Sequence, residues 1–379
     1  MKRIAVLVSN DLNHDQRVLK TCQTLREAGW SAQLLGRDMP GSKPLDIPFE
    51  GRRLRLPFHR GAGFYAALQW GMLRALLRMD VQAIWANDLD TLLPAFLAAR
   101  WKRIPIVYDS HEYFTEAAGL TGRPFQRGVW LMLERFLFPR IPAVITVNTG
   151  IADAYAERYP HAIGGRPRVV RNMPRKRPVQ ATVAVDWRVQ LGIQAHAPFL
   201  ILQGAYLDRD RGVVQAVEAL RAQPDWHLVV VGAGEEWEWA ATQVPSCGGR
   251  LHVLPKMPFD ELVGLTASAD VGLSLDQGVH GNYLMSLPNK LFDYIHANIP
   301  VVASPMPEVV KVVNDWGIGC VVEDSSPAGI GNAVEQVLAH PKSQWEGACK
   351  KAAEELHWGA EEPHILSALE SAVGANAFS

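Results

Sequence analysis

Short apolar runs that end in polar residues recur along this chain, and each leads into a helical pattern. Ile4-Ala5-Val6-Leu7-Val8 runs into a polar loop, and Asp15-Gln16-Arg17 then opens a helix with apolar residues at Val18, Leu19, Cys22, Leu25 and Ala28, closed by Gly29. Ala32-Gln33-Leu34-Leu35 follows as a second strand. Ala83-Ile84-Trp85-Ala86, Ile106-Val107-Tyr108 and Ala143-Val144-Ile145-Thr146-Val147 repeat the pattern, with an apolar helix over Arg127–Arg140 before the last of them. Arg171-Asn172-Met173-Pro174-Arg175-Lys176-Arg177-Pro178 interrupts it; two prolines and four basic residues in eight predict an exposed linker. The alternation then restarts at Phe199–Gln203 and continues through His227–Val231, Ala269–Leu275 and Val301–Ala303, and Trp358 begins a last piece with a helix over His364–Val373. Strands that are apolar throughout are buried on both faces, which is the condition of a parallel sheet covered by helices. The chain is therefore expected to be α/β, with two doubly wound parallel sheets in succession.

Length and composition fit that reading and narrow the function. A chain of 379 residues is long enough for two to three domains. A formal net charge of -1 argues against a general nucleic-acid binder. Cys22, Cys247, Cys320 and Cys349 are scattered, with no C-x-x-C pair, which fits reduced thiols in a cytoplasm and gives no metal site. Lys2-Arg3 leads into an apolar run too short for a signal peptide, and no run approaches the length of a membrane span. Arg52, Arg53, Arg55, His59 and Arg60 form a basic cluster beside an apolar helix over Phe64–Arg78. Such a pair can dock on anionic lipid. A packed helix buried all round is the weightier reading. Core packing accounts for most of the twelve tryptophans, with several left to anchor an interface.

Ligands of doubly wound sheets bind beyond the carboxyl ends of the strands. In the first half those ends carry Ser9-Asn10-Asp11-Leu12-Asn13-His14-Asp15-Gln16-Arg17, Asn87-Asp88-Leu89-Asp90 and Asp109-Ser110-His111-Glu112-Tyr113. The first of these lacks the G-x-G-x-x-G of a dinucleotide loop. From its spacing alone it reads more readily as a helix capped by Asp15 with a solvated His14 than as a ligand loop. In the second half, Gly204 and Gly212 bracket a loop into a helix whose N-terminus favours phosphate, and Gly232-Ala233-Gly234 forms a turn on which a base could pack. The most informative stretch is Leu287–Ser304. Pro288 starts a helix, Leu291 and Ile295 face inward, Asn298 ends the helix in a left-handed turn, and Val301-Val302-Ala303 is a buried strand. Asn289 and Lys290 lie in the first turn and Asp293 a turn on. A cation at a helix N-terminus suits phosphate, and a carboxylate beside it suits the two hydroxyls of a ribose. A surface helix with a solvated Lys and Asp is the plain alternative.

Pro-Asn-Lys-Leu-Phe ahead of an acidic residue resembles the nucleotide-sugar signature of the retaining GT-B glycosyltransferases of family 4, also called group 1. The resemblance extends, more weakly, to the Asn-Asp, Asp-Gln-Arg, Asn-Asp-Leu-Asp and Asp-Ser-His-Glu segments of the first half. It implies two Rossmann-like domains facing a cleft, an acceptor-side domain over 1–172, a donor domain over 173–356, and a tail helix over 357–379 that returns to the first domain. It implies that Asp293, where the family usually has Glu, holds the ribose. Arg211, Lys290 and Asn289 would bind the diphosphate, with Arg209 a further candidate. Gly232, Gly234 and the backbone of Met257 would bind the base. Asn10, Asp15, Arg17 and Asp88 would line the acceptor side, and His111 would lie near the reacting carbon. Two departures stand out: Met285 replaces a second Glu that contacts the donor sugar, and Ala205 stands where some members have Arg. The implied activity is metal-independent hexosyl transfer from a nucleotide-sugar to a glycan or lipid-linked acceptor, without a cofactor. A non-catalytic nucleotide-sugar-binding partner and a nucleotide-sugar epimerase share the architecture and remain open.

Overall fold

The structure, a computed structural model, describes residues 1–13, 15–176, 185–278 and 281–375; His14 and the Arg177-Pro178 end of the linker lie outside the described residues. The chain divides into two compact units, Met1–Asn172 with Trp358–Ser379, and Met173–His357.

Among the described residues of the first unit, β1 (Lys2–Leu7), β2 (Trp30–Arg37), β3 (Glu50–Leu54), β4 (Ala83–Asn87), β5 (Ile106–Ser110), β6 (Ala143–Thr146) and β7 (Arg168–Val169) pair in the order β3-β2-β1-β4-β5-β6-β7. Every pairing is parallel. All five residues of β4 and of β5 are buried, as the continuous apolar runs require. The strand order reverses between β1 and β4, so the loops after these strands open a crevice at that point. Helices α1 (Gln16–Glu27), α2 (Gly61–Arg78), α3 (Leu89–Lys102), α4 (Pro124–Leu137) and α5 (Thr149–Arg158) make the connections. The connection β1-α1-β2 runs one way across the sheet, while β3-α2-β4, β4-α3-β5 and β5-α4-β6 run the other. Right-handed crossovers therefore put α1 on one face and α2, α3 and α4 together on the opposite face. The C-terminal helix (Trp358–Ala375) packs on the α1 side. Its Trp358 is fully buried and donates its indole N–H to Thr24 Oγ1 at 3.0 Å, under the Lys20 ammonium at 4.6 Å from the ring.

The helix expected to be buried all round is not. α2 buries Phe64, Leu68, Met72, Ala75 and Leu76 and exposes Trp70 and Leu77. One buried stripe suffices for a helix that covers a sheet.

The second unit repeats the architecture. β8 (Phe199–Gly204), β9 (His227–Gly232), β10 (Leu251–Pro255), β11 (Val271–Ser274), β12 (Val301–Ala303) and β13 (Gly319–Val321) are parallel in the order β10-β9-β8-β11-β12-β13. Its reversal lies between β8 and β11. The helix Asn289–His296 begins directly after Pro288 and ends before Asn298, whose φ is 59°, the left-handed turn expected there. Its seat on the sheet is set by Gly272 in β11. A Cβ at that position would come within 2.4 Å of the Tyr294 ring. The ring lies there instead, and its hydroxyl donates to Leu273 O at 3.1 Å and accepts from Gln203 N–H at 3.3 Å. One buried tyrosine thus ties the helix that carries Lys290 and Asp293 to the ends of β8 and β11.

Candidate active site

In the second unit, the residues gathered at the strand reversal carry charge. Asp276 follows β11 and is almost fully buried. One of its oxygens accepts from Arg211 Nη1 at 2.8 Å, and the other lies 2.9 Å from Lys290 Nζ. Burial would raise the Asp276 pKa, but Lys290 and then Arg211 overcome this and hold the carboxyl below its ordinary range. Lys290 is buried, and Arg211 is about one-third exposed. Two cations and one carboxylate leave one net positive charge, fixed in direction and partly shielded from water. Such a cluster suits an anion. Asp276 is the residue that sequence reasoning missed. Its one signal was a carboxylate directly after the apolar run Val271–Leu275.

Asp293 lies one turn beyond Lys290. Its Oδ2 accepts from Gln203 Nε2 at 3.1 Å, and Gln203 Oε1 in turn accepts from Thr266 Oγ1 at 2.7 Å. Gln203 is the next-to-last residue of β8, so a buried amide fixes the Asp293 carboxylate against the sheet. Asn289 is exposed at the start of the same helix.

The glycines of this unit answer to close backbone approach. Gly232, at φ 154°, would put a Cβ 2.0 Å from Gly204 O, and Gly234, at φ 125°, would put one 2.8 Å from Leu207 O. The loops after β8 and β9 therefore pass too near each other for any side chain. Met257 packs its side chain against the core, leaving its backbone at the end of β10. Gly212, at φ 78°, precedes the helix Val213–Ala222, and the first N–H of that helix already has an acceptor, Glu236 Oε2 at 3.2 Å. Arg209 pairs at the surface with Glu235 at 3.0 Å.

In the first unit, the ends of β1, β4 and β5 bring together a chain of alternating charge. Arg17 and Asp109 are both buried. The guanidinium donates from Nη2 to Asp109 Oδ1 at 2.8 Å and from Nη1 to Val170 O at 2.7 Å. Asp109 Oδ2 lies 3.6 Å from His111 Nε2, and Asp88 Oδ2 lies 3.5 Å from His111 Nδ1. Asn87 donates to Leu7 O at 2.7 Å, which turns its own oxygen to His111 Nε2 at 3.1 Å. Burial alone would lower the His111 pKa, but Asp88 and Asp109 outweigh it and push the pKa up to about 9. Burial likewise works against the Asp109 charge, and Arg17 and His111 hold its carboxyl well below the usual range. His111 is thus an imidazolium at neutral pH, a donor and a positive charge.

Asp88 has φ 58° and ψ 164°, a region otherwise used by glycine. Its N–H bonds Asp109 O at 2.9 Å and its Oδ1 accepts the His111 N–H at 2.9 Å. Arg17 turns its guanidinium inward to Asp109, because a buried carboxylate requires a counter-charge; it acts through Asp109 and presents no free edge to the loops. Asp15 caps α1, accepting from Val18 N–H at 3.1 Å. Asn10 is exposed in the loop after β1.

Two doubly wound parallel sheets, each with charged residues gathered at its strand reversal, and a C-terminal helix packed on the first unit define a GT-B fold. The family model for a glycosyl transferase 4-like domain matches residues 14–173, and that for glycosyl transferases group 1 matches residues 207–340. The chain belongs to the group 1 glycosyltransferases of the GT-B type. No curated protein matches it by sequence. Among solved structures it is similar to sucrose-phosphate synthase from Thermosynechococcus elongatus, with 17% identity, TM-score 0.79 and coverage of 99% of this chain and 100% of that one. It is also similar to Anabaena HepE in complex with UDP-glucose (16% identity, TM-score 0.73, 98% and 100% covered). A third similar structure is WaaG, a glycosyltransferase involved in lipopolysaccharide biosynthesis (16% identity, TM-score 0.70, 98% and 100% covered). At these identities the likeness speaks to the fold.

Proposed function

We propose that the protein is a retaining, metal-independent hexosyltransferase that moves a sugar from a nucleotide-diphosphate-sugar to an acceptor hydroxyl in the synthesis of a cell-surface glycan or glycolipid. The observation that carries the proposal is the Asp276-bridged pair of Arg211 and Lys290, one helical turn from Asp293 at the strand reversal of the second unit. A breaking glycosidic bond leaves charge on the diphosphate. Arg211 and Lys290, held by Asp276, stabilise that charge in place without reorganising, and Asn289 at the helix start adds a polar contact. This supplies the role that a divalent ion plays in other transferases. Asp293, oriented by Gln203, takes the ribose hydroxyls, and Gly232, Gly234 and the Met257 backbone receive the base. HepE binds UDP and UDP-glucose in its solved structures, which supports a nucleotide-sugar donor for this fold.

On the acceptor side the proposal assigns His111, with Asp88, Asn10 and Asp15 in the loops around it and Arg17 as a positioning residue behind Asp109. With its pKa near 9, His111 serves as a charged hydrogen-bond donor and not as a base. Met285, in place of an acidic residue, leaves the donor sugar without that carboxylate contact. The acceptor is a glycan or a lipid-linked glycan. WaaG, which is involved in lipopolysaccharide biosynthesis, supports the glycolipid alternative. The proposal adds a peripheral contact at the inner face of a membrane. Among the described residues no helix is long and apolar enough to cross a membrane.

The test is turnover of a panel of nucleotide-sugars with membrane-extracted acceptors, read as nucleoside diphosphate released and as the anomeric configuration of the product by NMR. Transfer with retention that persists in EDTA is expected. Loss of turnover in EDTA with restoration by manganese, or an inverted product, contradicts the mechanism; epimerised donor or binding without turnover contradicts the activity.

A further inference from the structure

The helical layer over the first sheet has an outer surface that its core does not explain. α3 packs between α2 and α4, and Tyr65 of α2 meets Trp130 of α4 edge-on at 5.0 Å, so the three helices form one face. Helices packed about 10 Å apart, the longest of 18 residues, make a face roughly 25 Å long. The outward stripe of α4 is apolar from end to end. Phe125, Val129, Met132 and Phe136 recur at spacings of three and four, with Phe125 80%, Met132 62% and Phe136 50% exposed. α3 adds Leu97 and Trp101, the latter 81% exposed, and α2 adds Trp70, 66% exposed, and Leu77. Of the twelve tryptophans, Trp70 and Trp101 are the exposed ones, and both are on this face. At about 150–250 Å² per aromatic side chain, the four exposed rings alone leave on the order of 500 Å² to solvent. That is as large as the largest patch of an ordinary monomer, before the aliphatic residues are added.

The charges on the same face are one-sided. The exposed charged residues of the three helices are Arg74, Arg78, Arg100 and Arg135. Their two carboxylates, Asp90 and Glu134, are buried, Glu134 against Tyr159 Oη at 2.7 Å and Arg158 at 3.1 Å. Arg123 and Arg140 flank α4, and Arg140 lies over the Phe136 ring at 4.4 Å. The chain as a whole is near neutral, so this segregation belongs to the face and not to composition. Aromatic rings and arginines without exposed acids match the boundary of an anionic bilayer, where rings enter the headgroup level and guanidinium groups meet lipid phosphates. A second copy of the chain fits poorly. In a two-fold pair the patch meets itself, and arginine would oppose arginine with no carboxylate between.

We propose that the outer face of α2, α3 and α4 docks on an anionic lipid surface, with Trp101, Phe125 and Met132 entering the headgroup region. This deepens the lipid-linked acceptor reading above by naming the surface. The basic cluster of the β3 region is secondary: Arg53 is paired with Asp11 at 2.7 Å and Arg55 lies 3.7 Å from Asp38, which leaves Arg52, His59 and Arg60 outside the ion pairs found among the described residues.

Vesicle co-sedimentation of the full chain tests the proposal, with phosphatidylglycerol–phosphatidylcholine vesicles against phosphatidylcholine alone, at low and high salt. Three variants accompany the wild type: Trp101→Ser with Phe125→Ser and Met132→Ser; Arg74→Glu with Arg100→Glu and Arg135→Glu; and Arg52→Ser with Arg55→Ser and Arg60→Ser. All these residues are exposed, and an unchanged melting curve certifies the fold of each variant. The wild type is expected to pellet with anionic vesicles and to be released by salt. The two helix-face variants are expected to bind at least about tenfold more weakly, and the β3-region variant to bind nearly as well as wild type. A wild type that stays in the supernatant, helix-face variants that pellet like wild type, or a wild-type dimer that the first variant dissolves would each overturn the assignment. The readout needs no turnover, so failure of transfer leaves it standing, and failure of docking leaves transfer to a soluble acceptor standing.

Discussion

Replacing Asp276 by Asn removes the one carboxylate between Arg211 and Lys290 while keeping the volume of the side chain. Lys290 then holds a buried ammonium with no counter-charge, and breaking a buried pair in this way costs about 3–5 kcal/mol. Arg211 is about one-third exposed and can turn to water, so its half contributes about 1 kcal/mol or less. The amide oxygen of Asn still accepts one hydrogen bond, which puts the expected loss near the low end, about 3 kcal/mol for the second unit. At about 2–4 °C per kcal/mol for a unit of this size, its thermal midpoint should fall by roughly 6–12 °C. The pH dependence should change as well. A carboxyl held below its unfolded pKa gives stability that is present above pH 3.8 and lost as pH falls through its folded pKa, so the wild type should lose this increment in acid and the variant should have none to lose. A nucleoside diphosphate replaces the missing negative charge. Saturation at a hundred times Kd stabilises by about 2.7 kcal/mol, and the upward shift of the midpoint at equal ligand should be larger in the variant than in wild type. Differential scanning calorimetry with and without nucleoside diphosphate measures both quantities. A variant that melts with wild type, or that gains nothing extra from the diphosphate, would refute the view that Asp276 holds two phosphate-binding cations.

Other expectations follow from the same geometry. Arg211→Ala and Lys290→Ala should each weaken nucleoside diphosphate binding by about 1.5–3 kcal/mol by isothermal calorimetry, with little change for the bare nucleoside. Asp293→Asn should lose the preference for a ribonucleotide over its 2′,3′-dideoxy counterpart; a preserved preference would remove Asp293 from the ribose site. His111 should titrate near pH 9 by NMR. Its pKa is raised above the unfolded value, so the stability it contributes is complete below about pH 6.5 and lost as pH rises through about 9. His111→Gln should flatten that slope, and a wild-type titration below pH 7 would contradict the charged cluster.

The strand–helix alternation and the polar strand ends were legible because a buried parallel strand must be apolar throughout and its carboxyl end must not be. Asn298 was legible for a local reason, since few side chains tolerate its backbone turn. Asp276 was not: its partners are 14 and 65 residues away, and nothing in the spacing joins them. Gln203 was hidden inside an apolar run, where one amide reads as the end of a strand. The glycines at 232 and 234 were legible as glycines, but the backbone that demands them, Gly204 and Leu207, belongs to another loop. The outer stripe of α2 was misread in kind, and the faces of α3 and α4 carried no signal that told them apart from core. A helix that is apolar on all sides looks the same in sequence whether its outer stripe meets core or something else, and only the exposure of Trp70, Trp101 and Phe125 separates the two.

The most direct measurement is a crystal structure of the protein with a nucleoside diphosphate bound, chosen as the tightest of a uridine, adenosine and guanosine panel. The account predicts diphosphate oxygens within hydrogen-bond distance of Arg211 and Lys290, with Asp276 still behind them, and the ribose hydroxyls on Asp293. A nucleotide seated elsewhere, or a diphosphate out of hydrogen-bond reach of both Arg211 and Lys290, would contradict it.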